Sequence, residues 1–296
     1  MDKLNTKLIN ARKEIIEIDE KIKELQGKRK YLEDLIHLYF DSEKYNTNET
    51  EKFILNYFWS NAYKNYKDGG FITNDDFIIK NRFNYEIKKL DQIIENNCKN
   101  KKRALDIACG NGRYTREFSR SFNEVIGIDL SKDIIDENNK NNKNNKIQYI
   151  NENFITMGKN NLGIFDFIFV GGLCTYTSDI IDLEEMFKSL INMLNKDGIL
   201  ILREGTKKIG ENFHKSINYV SYHRNVNFYK EGFFKDYFYK EYQNYGYSLY
   251  HLNKFFTVHN DFREKIEENP FLIEKIVKNY VDDEMKSNHF FLYYKK

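Results

Sequence analysis

The stretch ALDIACGNGRYT, Ala104–Thr115, decides the fold. An apolar run carrying one acid, Asp106, drops into Cys109-Gly110-Asn111-Gly112 and then resumes with helix-compatible residues. That order reads as a strand, a tight turn and a helix, and its glycines let a ligand approach exposed backbone N–H groups closely. A glycine pair alone often does no more than turn the chain. Here a second run, EVIGIDLS, ends in Asp129, at the distance along the chain where a carboxylate can accept both hydroxyls of a ribose.

Outward from these two runs the pattern alternates. Strands are predicted near 103–108, 124–129, 146–150, 165–170 and 198–203, and helices near 113–121, 131–139 and 180–194. Apolar strands joined by helices make a parallel sheet covered on both faces. Upstream, a helix is predicted from about Asp75 to Asn96, preceded by the densely aromatic segment Phe53–Phe71 and a polar linker, Asp41–Glu51. Downstream of Gly205 the alternation stops: a helical stretch around Asn225–Asn244 leads to a strand at GYSLYHL, and a helical insert near 261–286 precedes a strand at HFFLYYKK. These last two strands are expected to pair antiparallel at a sheet edge. DENNKNNKNNK, Asp136–Lys146, reads as a solvated loop.

At the other end, Leu4, Leu8, Ala11, Ile15, Ile18, Ile22, Leu25, Arg29, Leu32, Ile36 and Tyr39 step by four and three in strict alternation. That is a heptad seam, broken once by Arg29, on a helix of about 50 Å. Two readings stay open: a coiled coil that dimerises or binds a partner, and a long helix folded against its own domain.

Composition bounds the rest. Forty-seven Lys and Arg nearly balance 45 Asp and Glu, a net charge of +2 that offers no global field for holding nucleic acid. Cys98, Cys109 and Cys174 are widely spaced with no C-x-x-C pair, so neither zinc nor a redox motif is expected, and a reducing, cytoplasmic compartment fits. MDKLNTKLINARKEII lacks the apolar stretch of a signal peptide, and no apolar run reaches the ~18 residues that span a bilayer. A protein with no membrane segment is expected.

A dinucleotide site prefers G-x-G-x-x-G, whose third glycine allows close helix–strand packing around a pyrophosphate. Thr115 stands at that third position, and the form here is D-x-x-x-G-x-G. Ala104–Thr115 resembles motif I of the class I S-adenosylmethionine-dependent methyltransferases, and GIDLS resembles their following acidic motif. The resemblance runs from about residue 80 to 204 and less closely to the C-terminus. It implies an α/β fold: a seven-stranded, mostly parallel Rossmann-like sheet with helices on both faces and the last strand antiparallel, here with a long N-terminal coiled-coil helix. Together with the heptad seam and the polar linker it gives three expected regions: the helix 1–40, a linker and aromatic lid 41–102, and a core 103–296 with inserts at 205–245 and 257–288. MLNKDGILILRE resembles the family's late turn and strand, lacking its proline but keeping Gly198.

Carried over residue by residue, the resemblance implies S-adenosylmethionine as cofactor. Asp106 and Ala108 lie near its methionine end, Gly110 and Gly112 line the loop, and Asp129 with Leu130 meet the ribose. Asn153, Phe154 and Gly171 complete the set around the adenine and sulfonium.

Methyl transfer from a sulfonium is an in-line displacement, so positioning in a dry pocket is the main task and no metal is required. The carboxyl ends of the strands nominate Gly171–Ser178 and Arg203–Thr206 for the acceptor. Tyr176 can face a cation, Arg203 and Glu204 place charge at the mouth of the sheet, and His223 can serve as a base; His214, Tyr219, Tyr222 and Arg224 lie in the same insert. Tyr57, Trp59, Tyr63 and Tyr66 resemble a lid. The leading expectation is O- or N-methylation of a small polar metabolite, natural product or surface-sugar precursor. A protein or tRNA methyltransferase, a nicotinamide dehydrogenase and a non-catalytic scaffold assembled through the coiled coil are the alternatives, and near-neutral charge counts against tRNA.

Overall fold

In the computed structural model the apolar runs around Asp106 and Asp129 become neighbouring strands of one mixed sheet. The structure describes residues 2–40, 58–59, 75–155, 162–177, 179–207, 210–215, 220–229, 238–244, 263–269, 272 and 286–294. The chain divides into two compact units, Met1–Lys52 and Phe53–Lys296. In the first, α1 (Asp2–Phe40) is one continuous helix, and Ile15, Ile18, Ile22, Leu25 and Leu32 of its apolar seam are exposed.

The second unit opens, within its described helices and strands, on α2 (Asp76–Asn97), which Asp75 caps by accepting from the N–H groups of Phe77 and Ile78. Then come β1 (Arg103–Ile107), α3 (Arg113–Ser121), β2 (Glu124–Asp129), α4 (Lys132–Asn141), β3 (Ile147–Asn151) and β4 (Phe165–Gly171). A 3-10 turn at Cys174–Tyr176 leads to α5 (Ile180–Met193) and β5 (Leu194–Lys207). After them come β6 (Asn212–Lys215), β7 (Val220–His223), β8 (Phe238–Asn244), α6 (Arg263–Glu268) and β9 (Lys286–Tyr294). The main sheet runs β3-β2-β1-β4-β5-β9-β8, and β6 pairs with β7 in a separate hairpin. The first five of these strands are parallel, whereas β9 runs antiparallel to both β5 and β8.

Strand alternation divides the core in two. On one face Ala104, Phe167, Phe169, Ile199 and Ile201 meet Tyr85, Leu90 and Ile94 of α2 and Phe118 of α3. On the other, Leu105, Ile168, Val170, Leu200 and Leu202 meet Leu183, Phe187 and Leu190 of α5. Helix α2, which falls in the predicted segment 41–102, therefore packs into the same core as the sheet.

Two predictions are corrected. Asp136–Asn141, read as part of a solvated loop, continues helix α4 and buries Asn138, and the end of the stretch read as helix, Asn225–Asn244, is strand β8. Phe238, Tyr239 and Tyr242 suit a pleated surface, and pairing with β9 overrides a weak helical spacing. The predicted strand GYSLYHL, 246–252, lies outside the described residues. The hairpin β6–β7 was read only as a polar-aromatic insert, and α6 is a six-residue helix within the predicted insert 261–286. Among the described residues no helix is long and apolar enough to cross a membrane.

Candidate cofactor and acceptor site

The chain leaves β1 through backbone that most residues avoid. Ala108 has φ 59°, Gly110 φ 53° and Gly112 φ 69°, a left-handed series that carries the chain from strand to helix. At Gly112 glycine is required twice over, because a Cβ there would stand 2.3 Å from the Tyr149 hydroxyl oxygen. The glycine thus makes room for the ring beneath the loop as well as for its turn. Asp129, at the end of β2, holds the loop from the side: its carboxylate accepts from the N–H of Gly110 at 2.9 Å and from that of Ser131 at 2.9 Å. Asn138 of α4 donates to the Gly110 carbonyl at 2.8 Å.

Asp106 points into the α3 face, 1% exposed, and accepts from the Thr115 hydroxyl at 2.6 Å. Thr115 also fills the space over β2, since a Cβ on Gly127 would meet its hydroxyl at 3.1 Å. A threonine anchored there keeps α3 from the close approach that a third glycine permits in dinucleotide sites. Burial pushes the Asp106 carboxyl up to about 7, against the Thr115 hydrogen bonds and reinforced by Asp129. Burial also raises Asp129, opposed by the N–H groups it accepts from.

A raised pKa in the fold means that the folded chain holds this proton more tightly than the unfolded chain, whose aspartate titrates near ~3.9. The contribution of Asp106 to stability is therefore complete below about pH 4 and is lost as pH rises through about 7. Asp106→Asn is expected to flatten that decline between pH 5 and pH 8. Thermal unfolding of both proteins at the two pH values checks it, and parallel changes would show that Asp106 is not the titrating group.

Opposite the glycine loop, β4 ends at Gly171, paired with Arg203 of β5, and turns through Gly172 (φ 81°) into the 3-10 turn. Two buried charges hold this turn. Glu204 accepts from the N–H groups of Cys174 and Thr175 at 3.0 and 3.1 Å and from the Thr175 hydroxyl at 2.8 Å. Arg224, from just after β7, donates to the carbonyls of Cys174 and Thr177 at 2.6 and 2.7 Å. Burial raises the Glu204 carboxyl, and the Thr175 and Cys174 donors oppose that shift. The turn ends on Tyr176, whose ring meets Trp59 edge-on with centroids 4.8 Å apart. His223 ends β7, which packs against the 3-10 turn.

Arg203 leaves the other face of β5 and forks onto Glu86 of α2, at 2.9 Å through Nε and 3.0 Å through Nη2. Arg82 reaches the same carboxylate at 2.9 Å, and the Tyr114 hydroxyl donates to it as well. Burial alone would raise Glu86, but the two guanidinium groups and the hydrogen bonds from Arg203 and Tyr114 outweigh it and hold the carboxyl at about 2.

A family model described as a methyltransferase domain matches residues 105–202. The chain carries a methyltransferase domain. S-adenosylmethionine is the methyl donor of such a domain. The match begins inside β1 and ends in β5, so Glu86 and Arg224, which brace the methyltransferase sheet edge from either face, lie outside it. Among solved structures, the chain is similar to an S-adenosylmethionine-dependent methyltransferase from Leishmania major, with a TM-score of 0.56 and 14% identity over 80% of each chain. It is similar also to coclaurine N-methyltransferase bound to N-methylheliamine and SAH, with a TM-score of 0.51 and 16% identity over 71% of this chain and 70% of that one. At such identities the likeness is one of fold. No curated protein matches the sequence.

The residues nominated from sequence gather at the carboxyl edge of the parallel strands. Ala108, Gly110 and Gly112 follow β1, Asp129 and Leu130 follow β2, Asn153 and Phe154 follow β3, and Gly171 and Tyr176 follow β4. Phe154 packs on the α5-face core, and the Asn153 side chain accepts from the N–H of Ile155 at 3.1 Å. Tyr57, Tyr63, Tyr66, Tyr219 and Ser178 lie outside the described residues. Thr115, Asn138, Arg82 and Glu86 were not singled out for these contacts, because nothing in the sequence marks which distant residue an amide or a charge will meet. Among the described residues no group of three His, Cys, Asp or Glu forms a metal site.

Proposed function

We propose that the methyltransferase moves a methyl group from S-adenosylmethionine, by in-line displacement, onto an oxygen or nitrogen of a polar or charged small molecule: a metabolite, a natural product or a surface-sugar precursor. The observation that carries this reading is the left-handed loop Ala108–Gly112, bare of bulky side chains and fixed by Asp129 at the edge of β1 and β2. That loop fits the amino-acid end and ribose of the cofactor, with Asp129 and Leu130 at the ribose, Asn153 and Phe154 toward the adenine, and Asp106 and Gly171 toward the methionine end. The bound cofactor supplies an electrophilic methyl on a sulfonium.

The chain's own residues supply position. Glu204 and Arg224 fix the turn after β4 and thereby the place of Tyr176. Arg203, engaged with Glu86, is a positioning residue in this reading, and Tyr176 and His223 are the side chains proposed to meet the acceptor. Segment 41–102 contributes Trp59 as a wall against Tyr176, and the core 103–296 carries the chemistry. The apolar seam of α1 is proposed to join two copies. Three free, buried thiols, Cys98, Cys109 and Cys174, suit a reducing cytoplasm.

Calorimetric titration with S-adenosylmethionine and with S-adenosylhomocysteine tests the reading. Micromolar binding is expected, and no heat at high micromolar cofactor would exclude it. Asp129→Ala is expected to weaken binding by about 1.5–3 kcal/mol, the value of a hydrogen bond to a charged group. An unchanged affinity would refute its ribose role.

A further inference from the structure

On helix α1 the described seam residues alternate as Ala11, Ile18, Leu25 and Leu32 on one set of heptad positions and Ile15, Ile22 and Arg29 on the other. All are exposed, five of them isoleucine or leucine, and an apolar stripe of this length on a water-facing helix marks an association surface. Two members are irregular. Ala11 is too short to fill a layer and Arg29 is long and charged.

We propose that this seam binds the α1 seam of a second copy antiparallel, in the one register that sets Ala11 against Arg29. With Ile18 opposite Ile22 of the partner subunit, Ile15 falls opposite Leu25 of the partner subunit, and Ala11 opposite Arg29 of the partner subunit. The pairing is reciprocal, as a two-fold axis requires. The long side chain lies over the short one, and the two seam cations are about 27 Å apart at ~1.5 Å per residue.

Sliding the helices by half a heptad or by one heptad in either direction puts Arg29 opposite position 8, 15, 4 or 18, each a leucine or isoleucine, instead. A parallel pair would stack Arg29 on its own copy, leave a gap between two alanines, and place Glu14 beside the Asp19 position of the other chain on both flanks. In the antiparallel register Glu14 instead flanks Lys28 of the partner subunit, twice. Lys21 and Asp19 each meet their own copy near the two-fold axis, one pair on each flank. Counted by heptad position over the whole helix, the parallel pair sets two opposite-charge pairs (positions 28 and 33) against four like-charge pairs (14 with 19, and 7 with 12), whereas the antiparallel register sets two against two.

The test uses the full chain. Light scattering on the unmodified protein is expected to give twice the chain mass, and a monomer, trimer or tetramer would overturn the proposal. Ile15→Cys and Leu25→Cys are then made singly and treated with a short bis-maleimide, with the unmodified chain as a control for its native thiols. An equimolar mixture of the two variants is expected to give a covalent dimer that neither variant gives alone. Cross-linking of either variant to itself, or none in the mixture, would overturn the antiparallel register. Cofactor titration of the same variants is expected to match the unmodified chain, which keeps failure here distinct from failure of the methyltransferase reading.

Discussion

Replacing Glu86 by alanine is expected to cost about 3–5 kcal/mol of folding stability, the range for breaking a buried ion pair by removing one partner. The Glu86 side chain is fully buried, and its carboxylate is the shared acceptor of Arg82, Arg203 and Tyr114. Without it two guanidinium groups, exposed by only 6% and 12%, lose the carboxylate they share. The loss is larger than truncation of an aliphatic side chain on the same helix would bring through area alone. Urea unfolding measures it, and a change below ~1 kcal/mol would mean that the network does not tie α2 to the sheet.

Acid should reveal the same carboxylate. Its pKa in the fold, about 2, lies below the unfolded value of ~4.3. Its contribution is thus present above about pH 4.3 and is lost as pH falls toward 2, opposite in sign to that of Asp106. Glu86→Gln should already lack this acid limb at pH 5, because an amide does not titrate.

The second large effect is expected at Glu204. Glu204→Ala leaves two backbone N–H groups and the Thr175 hydroxyl without their acceptor in a buried site, each worth about 1–3 kcal/mol. The 3-10 turn then keeps Arg224 on its carbonyl side but loses the acid on its N–H side. Trp59, the single tryptophan of the chain, packs on Tyr176 at the end of that turn. Its emission should shift toward that of a hydrated indole in Glu204→Ala and return part of the way in Glu204→Gln, which keeps an acceptor oxygen. Unchanged emission together with an unchanged urea midpoint would show that the turn does not depend on Glu204. Methyl transfer, once an acceptor is in hand, should lose kcat more than cofactor affinity.

Much of the fold was legible because the strands near Asp106, Asp129 and Gly171 are short apolar runs closed by turn residues, the pattern that buried parallel strands impose. The cofactor loop was legible for a related reason: left-handed backbone asks for glycine, and Gly110 and Gly112 announce it. Strand β8 was not, because FYKEYQN carries no clean alternation and takes its form from β9. The bracing charges were not either. Glu86 lies 117 residues before Arg203, on a helix that also carries Lys80, Lys88, Lys89, Asp91 and Glu95, and reads as one more solvated charge. Arg224 lies in an irregular insert, and no local pattern there marks the two distant carbonyls it meets.

Arg203 and Glu204 are consecutive residues of β5, and consecutive side chains leave opposite faces of a sheet. One fastens the helix layer above, the other the turn below. A slip of β5 by one residue would carry the acid of Glu204 to the face where Glu86 waits, and Arg203 to the face where Arg224 and the N–H groups of Cys174 and Thr175 already point. Both exchanges set like against like. This single dipeptide therefore acts as a lock on strand alignment, rejecting the misthreaded sheet electrostatically where the apolar residues before it, Ile199 to Leu202, would pack on either side.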